Sequence, residues 1–242
     1  MHTMLGMLTR RQHACFHSWR MTITVIGRFA TLVPIALFLS CCSPQALPAT
    51  GDHAVKIVML GDSLAAGFGL LWSPNFPVRL EEVLREKGHA VTVVNAGVSG
   101  DTASDGLRRL DRSVPEGTDA LIIELGANDA ERGIDPNVTK AALAAILQRM
   151  KERHIQVLLT GFRAPPSKGP AYDRAFAAIY PSLASTYSFV WYPDILDGVE
   201  GNPALIQLDG EHPNAEGVNV IVEHILPRVE DLIARVRKAR RV

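Results

Sequence analysis

The sequence contains three cysteines, Cys15, Cys41 and Cys42, and none beyond residue 42. A disulfide framework or a cysteine-based metal site is therefore excluded for everything downstream. An excess of charge of one sign is also missing. Twenty-five Lys and Arg balance 25 Asp and Glu, for a formal net charge of zero, so the cationic field that nucleic-acid binding uses is absent. The glycine signatures of phosphate and dinucleotide binding do not occur, and neither does the His-Glu-x-x-His spacing of a metal site. No cofactor and no metal are expected. Acidic residues are lacking altogether before Asp52.

That last absence marks off the N-terminus. Arg10, Arg11, Arg20 and Arg28 precede an apolar run, Phe29 to Leu39, and then Ser40-Cys41-Cys42-Ser43-Pro44. Basic, then apolar, then small is the layout of a secretory signal. The run is about half the roughly 20 residues that span a bilayer, and Pro34 interrupts it. Residues 1–50 are read as a signal peptide, and Met21 is an alternative start that gives a signal of ordinary length. A cysteine just after the run resembles a lipobox, which would anchor the chain to the membrane through lipid on Cys41 or Cys42. Phe38 before the first and Cys41 before the second depart from that pattern, and ordinary cleavage near Ala46 or Ala49 is the other reading. Either way the domain, 53–242, is expected to work outside the cytoplasm, periplasmic or secreted, or lipid-anchored to the envelope.

Hydrophobic residues make up 47% of the 242 residues, enough for one globular domain with a real core. Past residue 52 the pattern alternates. Strand-like runs cover Val55 to Leu60, Val91 to Val94, Ala120 to Leu125, Ile155 to Thr160 and Phe189 to Tyr192. Helical spacing covers Pro77 to Lys87, Thr102 to Val114, Asn137 to His154, Tyr172 to Thr186 despite Pro181, and Ala215 to Arg237. Continuously apolar strands separated by helices indicate a parallel sheet covered on both faces. The expected fold class is α/β, a three-layer α/β/α sandwich with a parallel five-stranded sheet, flavodoxin-like. Ligands in such folds collect at the carboxyl ends of the strands. Ser63, Gly100, Asn128 and the 161–171 loop all follow strand candidates. The cations that crowd the C-terminus, Arg235 to Arg241, read as complements to a helix end.

The chemistry starts at Gly61-Asp62-Ser63-Leu64, where a buried strand breaks into a turn that holds a hydroxyl. A serine hydroxyl attacks carbonyl carbon only when a base takes its proton. Asp209-Gly210-Glu211-His212 supplies a histidine and, three residues earlier, a carboxylate to orient it. Ser, Asp, His is a legitimate triad order, since triads are defined by geometry and role. Acyl transfer also needs donors for the oxyanion. The segment Asn95 to Thr102, with Gly100, and the segment Glu124 to Asp129, with Asn128, are the two candidates. Asp62 and Asp129 are expected to hold the turns through backbone hydrogen bonds.

These four segments together resemble the GDSL, or SGNH, hydrolase superfamily, over about residues 55 to 234. Within it, Val-Val-Asn-Ala-Gly-Val-Ser-Gly-Asp-Thr (93–102), Leu-Gly-Ala-Asn-Asp (125–129) and residues 175–184 look like the bacterial periplasmic thioesterase I, lysophospholipase and arylesterase group. The resemblance implies Ser63 as nucleophile, His212 as base and Asp209 as its orienting partner. It implies an oxyanion hole made of the Ser63 and Gly100 N–H groups and the Asn128 side chain. It also implies a serine esterase, acting as a monomer on aryl esters, short- to medium-chain acyl esters, thioesters or lysophospholipids. Carbohydrate O-acetylesterase is the alternative. Phe68, Leu70, Leu71 and Trp72 are candidate pocket residues. Pro165 and Pro166 lie in the loop that helps form the acyl groove in that group, and with Pro170 they stiffen it here.

Overall fold

The computed structural model describes residues 53–71 and 73–241. Residues 1–52, read above as carrying a signal and including Met21, Cys41 and Cys42, lie outside the described residues, as does Trp72. The elements run β1 (Val55–Gly61), α1 (Ser63–Ala66), α2 (Phe76–Glu86), β2 (Val91–Gly97), α3 (Ala103–Arg108), α4 (Leu110–Ser113), β3 (Ala120–Glu124), α5 (Ala127–Arg132), α6 (Pro136–Glu152), β4 (Gln156–Thr160), a 3-10 turn (Pro166–Lys168), α7 (Pro170–Ala177), α8 (Ile179–Tyr187), β5 (Val190–Tyr192) and α9 (Ala215–Ala239).

The five strands form one sheet in the order β2-β1-β3-β4-β5, and every pairing is parallel. Side chains alternate between the faces of a strand, and both faces here are covered. Ile57, Met59, Ile122 and Leu158 pack with Phe76, Leu80 and Leu84 of α2 and with Val218 to Val236 of α9. Val58, Leu60, Leu121, Ile123 and Leu159 pack with Leu143, Ile146 and Met150 of α6 and with Ile179 and Tyr180 of α8. That double burial explains why the central strands read as mainly apolar runs rather than as alternating ones. Strand order reverses at β1, with β2 on one side and β3 on the other. In open α/β sheets this switch point, at the carboxyl ends of the strands, is where ligands bind.

Two expected helices are divided. The spacing over 102–114 predicts one helix, but α3 ends at Arg109 (φ −102°, ψ 6°) before α4 begins. Arg109 turns its side chain inward, where only 9% of it is exposed. It donates to the carbonyl oxygens of Gly61 at 2.9 Å and Ala96 at 2.7 Å, and pairs with the Asp101 carboxylate. It therefore ties the carboxyl ends of β1 and β2 together beneath the switch point. Replacing it with methionine strands the Asp101 carboxylate, and breaking such a pair costs about 3–5 kcal/mol. Arg109→Met should lower the urea midpoint correspondingly; an unchanged midpoint would show the pair to be idle. The second division falls at Ala178, between α7 and α8. Pro181 has no N–H for the carbonyl four residues back and its ring crowds that carbonyl, so the helix restarts with Pro181 in its first turn.

At the C-terminus the basic residues do more than face a helix dipole. Arg240 pairs with Asp119 at 2.7 Å and donates to the carbonyl of His53 at 2.7 Å. Among the described residues no helix is long and apolar enough to cross a membrane.

Candidate active site

The turn after β1 is shaped by crowding. A Cβ on Gly61 would stand 2.5 Å from Oε2 of Glu124 and 2.7 Å from the Ala65 side chain. Only glycine lets α1 fold back against the end of β3. The Asp62 side chain accepts from the Leu64 N–H at 3.3 Å and caps α1. Ser63 thus occupies the first helical position, where a backbone N–H has no partner within its own helix.

His212 reaches this turn from the other end of the chain. Its loop is pinned by the Gln207 N–H donating to the His212 carbonyl at 2.7 Å. Asn214 fixes the loop's exit by capping α9, accepting from the Gly217 N–H at 3.0 Å. His212 Nε2 stands 2.9 Å from Ser63 Oγ, and Nδ1 stands 2.8 Å from Oδ2 of Asp209. The other oxygen of Asp209 accepts from the N–H groups of Glu211 at 3.0 Å and His212 at 3.1 Å. Those bonds, the one from Glu211 foremost, hold the Asp209 carboxyl below its ordinary range. Ser63 Oγ also lies 3.5 Å from Oδ1 of Asp62, at the limit of a hydrogen bond, so the histidine is its better partner. The Phe68 ring covers the imidazole with centroids 4.5 Å apart.

Gly100 follows β2 and Asn128 lies in α5 after β3, so both flank Ser63 across the paired ends Gly97, Gly61 and Glu124. Gly100 has φ +86°, a conformation that suits glycine. Nδ2 of Asn128 donates to Oδ2 of Asp62 at 3.2 Å. Asp129, beside it, is fully buried. It accepts from the Ala103 N–H and the Thr139 hydroxyl, each at 2.8 Å, holding α3, α5 and α6 in place.

Behind the serine, Asp62 sits beside a second buried carboxyl, Glu124, whose part in the site sequence reasoning missed. Glu124 is 3% exposed, and its Oε2 accepts from the Asp62 N–H at 3.1 Å. Burial, and then the Asp62 charge, pushes Glu124 well above the usual carboxylate range. Burial likewise raises Asp62 to about 6, against the Leu64 N–H and the Asn128 amide, which favour its charged form.

The triad opens on a small cavity of ≈ 50 Å³, lined by Leu64, Phe162, Ile195, Leu196 and Pro213 with Glu131 and Glu211. Burial, and then the Glu211 side chain, raises Glu131 from its ordinary 4.5 to about 7. Because folding strengthens proton binding here, the stabilisation is complete below 4.5 and lost as pH rises through about 7. Glu131→Gln removes the effect. The variant should melt above wild type at pH 8 and together with it at pH 4, and parallel melting curves at every pH would contradict this.

The structure brings Ser63, Asp209 and His212 together and sets Gly100 and Asn128 on either side. Of the expected pocket residues it brings Phe68 there, over the imidazole, but not Leu70, Leu71, Pro165 or Pro166. Leu70 is partly buried against the core under α2 and α9, and Leu71 is exposed. Pro165 is half-buried beside the 3-10 turn, and Pro166 lines a separate surface cavity with Arg163 and Asp173. Among the described residues no cluster of three or more His, Cys, Asp or Glu side chains could hold a metal.

Residues 59–220 match the profile of the GDSL-like Lipase/Acylhydrolase family. Esterase TesA of Pseudomonas aeruginosa is 35% identical over 199 residues, covering 82% of this chain and 99% of the relative. Thioesterase 1/protease 1/lysophospholipase L1 of Escherichia coli K12 is 35% identical over 181 residues, covering 74% and 86%. The crystal structure of AlinE4, an SGNH-hydrolase family esterase, superposes with a TM-score of 0.64 at 39% identity, covering 75% of this chain and 98% of that one. With a serine, a histidine and an aspartate joined at the switch point of a matching fold, the chain belongs to the GDSL-like lipase/acylhydrolase family.

Proposed function

We propose that Ser63 is the nucleophile of an ester hydrolase that works through an acyl-enzyme. The observation that carries this is the unbroken chain from Ser63 Oγ to His212 Nε2, 2.9 Å, and from His212 Nδ1 to Asp209, 2.8 Å, facing an apolar cavity. As Ser63 Oγ bonds to the acyl carbon, its proton passes to Nε2 of His212. Asp209 holds the Nδ1–H tautomer and stabilises the imidazolium. The oxyanion is received by the N–H groups of Ser63 and Gly100 and by the Asn128 amide. His212 protonates the departing alcohol or thiol. A water molecule then repeats the sequence and releases the carboxylic acid.

Aryl esters, short- to medium-chain acyl esters, thioesters and lysophospholipids are the proposed substrate class. The names of the relatives support it and do not favour the carbohydrate O-acetylesterase reading. The small cavity beside Ser63 argues for a short acyl group. The basic, apolar and small residues that precede Asp52 support a place outside the cytoplasm, periplasmic or secreted. Rates on p-nitrophenyl acetate through palmitate test the substrate reading. They should peak between acetate and hexanoate and fall steeply by palmitate. A profile that rises to palmitate contradicts it.

A further inference from the structure

Asn128 and Arg132 stand one turn apart on α5, so their side chains share a face. Nη2 of Arg132 donates to the carbonyl oxygen of Gly100 at 2.7 Å and lies 3.4 Å from Oδ1 of Asn128. Gly100 and Asn128 follow different strands, on opposite sides of β1, and this guanidinium is hydrogen-bonded to both.

The carboxamide of Asn128 is therefore engaged at both ends. Oδ1 accepts from Arg132, and one Nδ2 hydrogen goes to Asp62. An amide nitrogen has two hydrogens, so one remains for a substrate oxygen. A donor on the carbonyl end polarises the amide and strengthens that remaining N–H. At Gly100, which has φ +86° and no side chain to lock it, a held carbonyl fixes the direction of the adjoining backbone.

We infer that Arg132 is a positioning residue for ester hydrolysis: it clamps Gly100 and Asn128 in the orientation that receives the oxyanion. The inference rests on the oxyanion hole proposed above. Misplacing a catalytic group by about 1 Å can cost on the order of a hundredfold, which sets the scale of the effect.

The test compares wild type, Arg132→Met, Arg132→Lys and Asn128→Ala on p-nitrophenyl butyrate. Competent sites are counted by titrating Ser63 with a fluorophosphonate to completion, so misfolded protein does not enter kcat. Arg132→Met should lower kcat per titrated site about tenfold to a hundredfold, with KM within about twofold. Arg132→Lys, which keeps the charge, should regain part of the loss. The Arg132→Met, Asn128→Ala double variant should lose less than the product of the single losses, because the two act as one unit. A kcat for Arg132→Met within twofold of wild type, or a loss confined to KM, overturns the clamp while a crippled Asn128→Ala leaves the oxyanion hole standing. Full activity in Asn128→Ala overturns both.

Discussion

Ser63→Ala is expected to lower kcat/KM on p-nitrophenyl butyrate by about 10⁴-fold or more, with little change in stability. Losing a nucleophile or its base typically removes several orders of magnitude and leaves only the contribution of binding and the oxyanion donors. Here the argument is local. Ser63 Oγ is the atom that His212 Nε2 contacts at 2.9 Å, and the neighbouring hydroxyls of this edge make other bonds. Thr160, also at a strand end, donates its hydroxyl to the Ile123 carbonyl at 3.0 Å. Alanine at the first position of α1 leaves the Asp62 cap in place, so the fold should persist. His212→Ala should cost about as much, and the double variant little more, because the two groups act as one. Rates for the three variants under the same conditions check this. A double variant far below both singles would mean that serine and histidine contribute separately, contrary to the mechanism.

Asn128→Ala is expected to reduce kcat by about 10²- to 10³-fold, the usual effect of deleting one oxyanion donor, while KM changes little. The donor meets the oxyanion more strongly than the ground-state carbonyl, so its loss falls on the transition state. The same substitution removes the Asn128 amide from Oδ2 of Asp62, a bond of 3.2 Å that favours the charged carboxylate. Asp62 should therefore rise further above its value of about 6. Steady-state kinetics on a soluble p-nitrophenyl ester separate kcat from KM. A large rise in KM with kcat intact would make Asn128 a substrate-binding group instead.

Much of the fold is legible in the sequence for a definite reason. The central strands are buried on both faces, so β1 and β3 appear as the mainly apolar runs Val55 to Leu60 and Ala120 to Leu125, with Lys56 and Glu124 the polar residues in them. The helix breaks are less visible. Arg109 continues a helical pattern, and the acceptors that draw it inward, the carbonyls of Gly61 and Ala96, exist together only after β1 and β2 pair. Pro181 is visible, but whether proline bends or restarts a helix depends on the packing around it.

The site divides in the same way. Asp209 and His212 are three residues apart and meet within one turn, and the break from apolar strand to Gly61-Asp62-Ser63 exposes the serine by itself. The supporting groups do not announce themselves. Glu124 reads as the polar end of a strand and Arg132 as an exposed helical cation. The spacing of Asn128 and Arg132 is a weak signal, since it fits any pair on one helix face. Leu70 shows the opposite limit: an apolar residue after the nucleophile packs inward as readily as it lines a pocket, and here it packs inward.

The mechanism turns on whether Ser63 becomes covalently bonded during the reaction. The most direct measurement is mass spectrometry of the protein treated with an ethyl fluorophosphonate, followed by peptide mapping, with ester hydrolysis measured on the same sample. The expected result is one adduct, on Ser63, formed in proportion to the loss of activity and absent from Ser63→Ala. Complete inactivation with the label elsewhere, or hydrolysis that continues unchanged while Ser63 is fully modified, would contradict it.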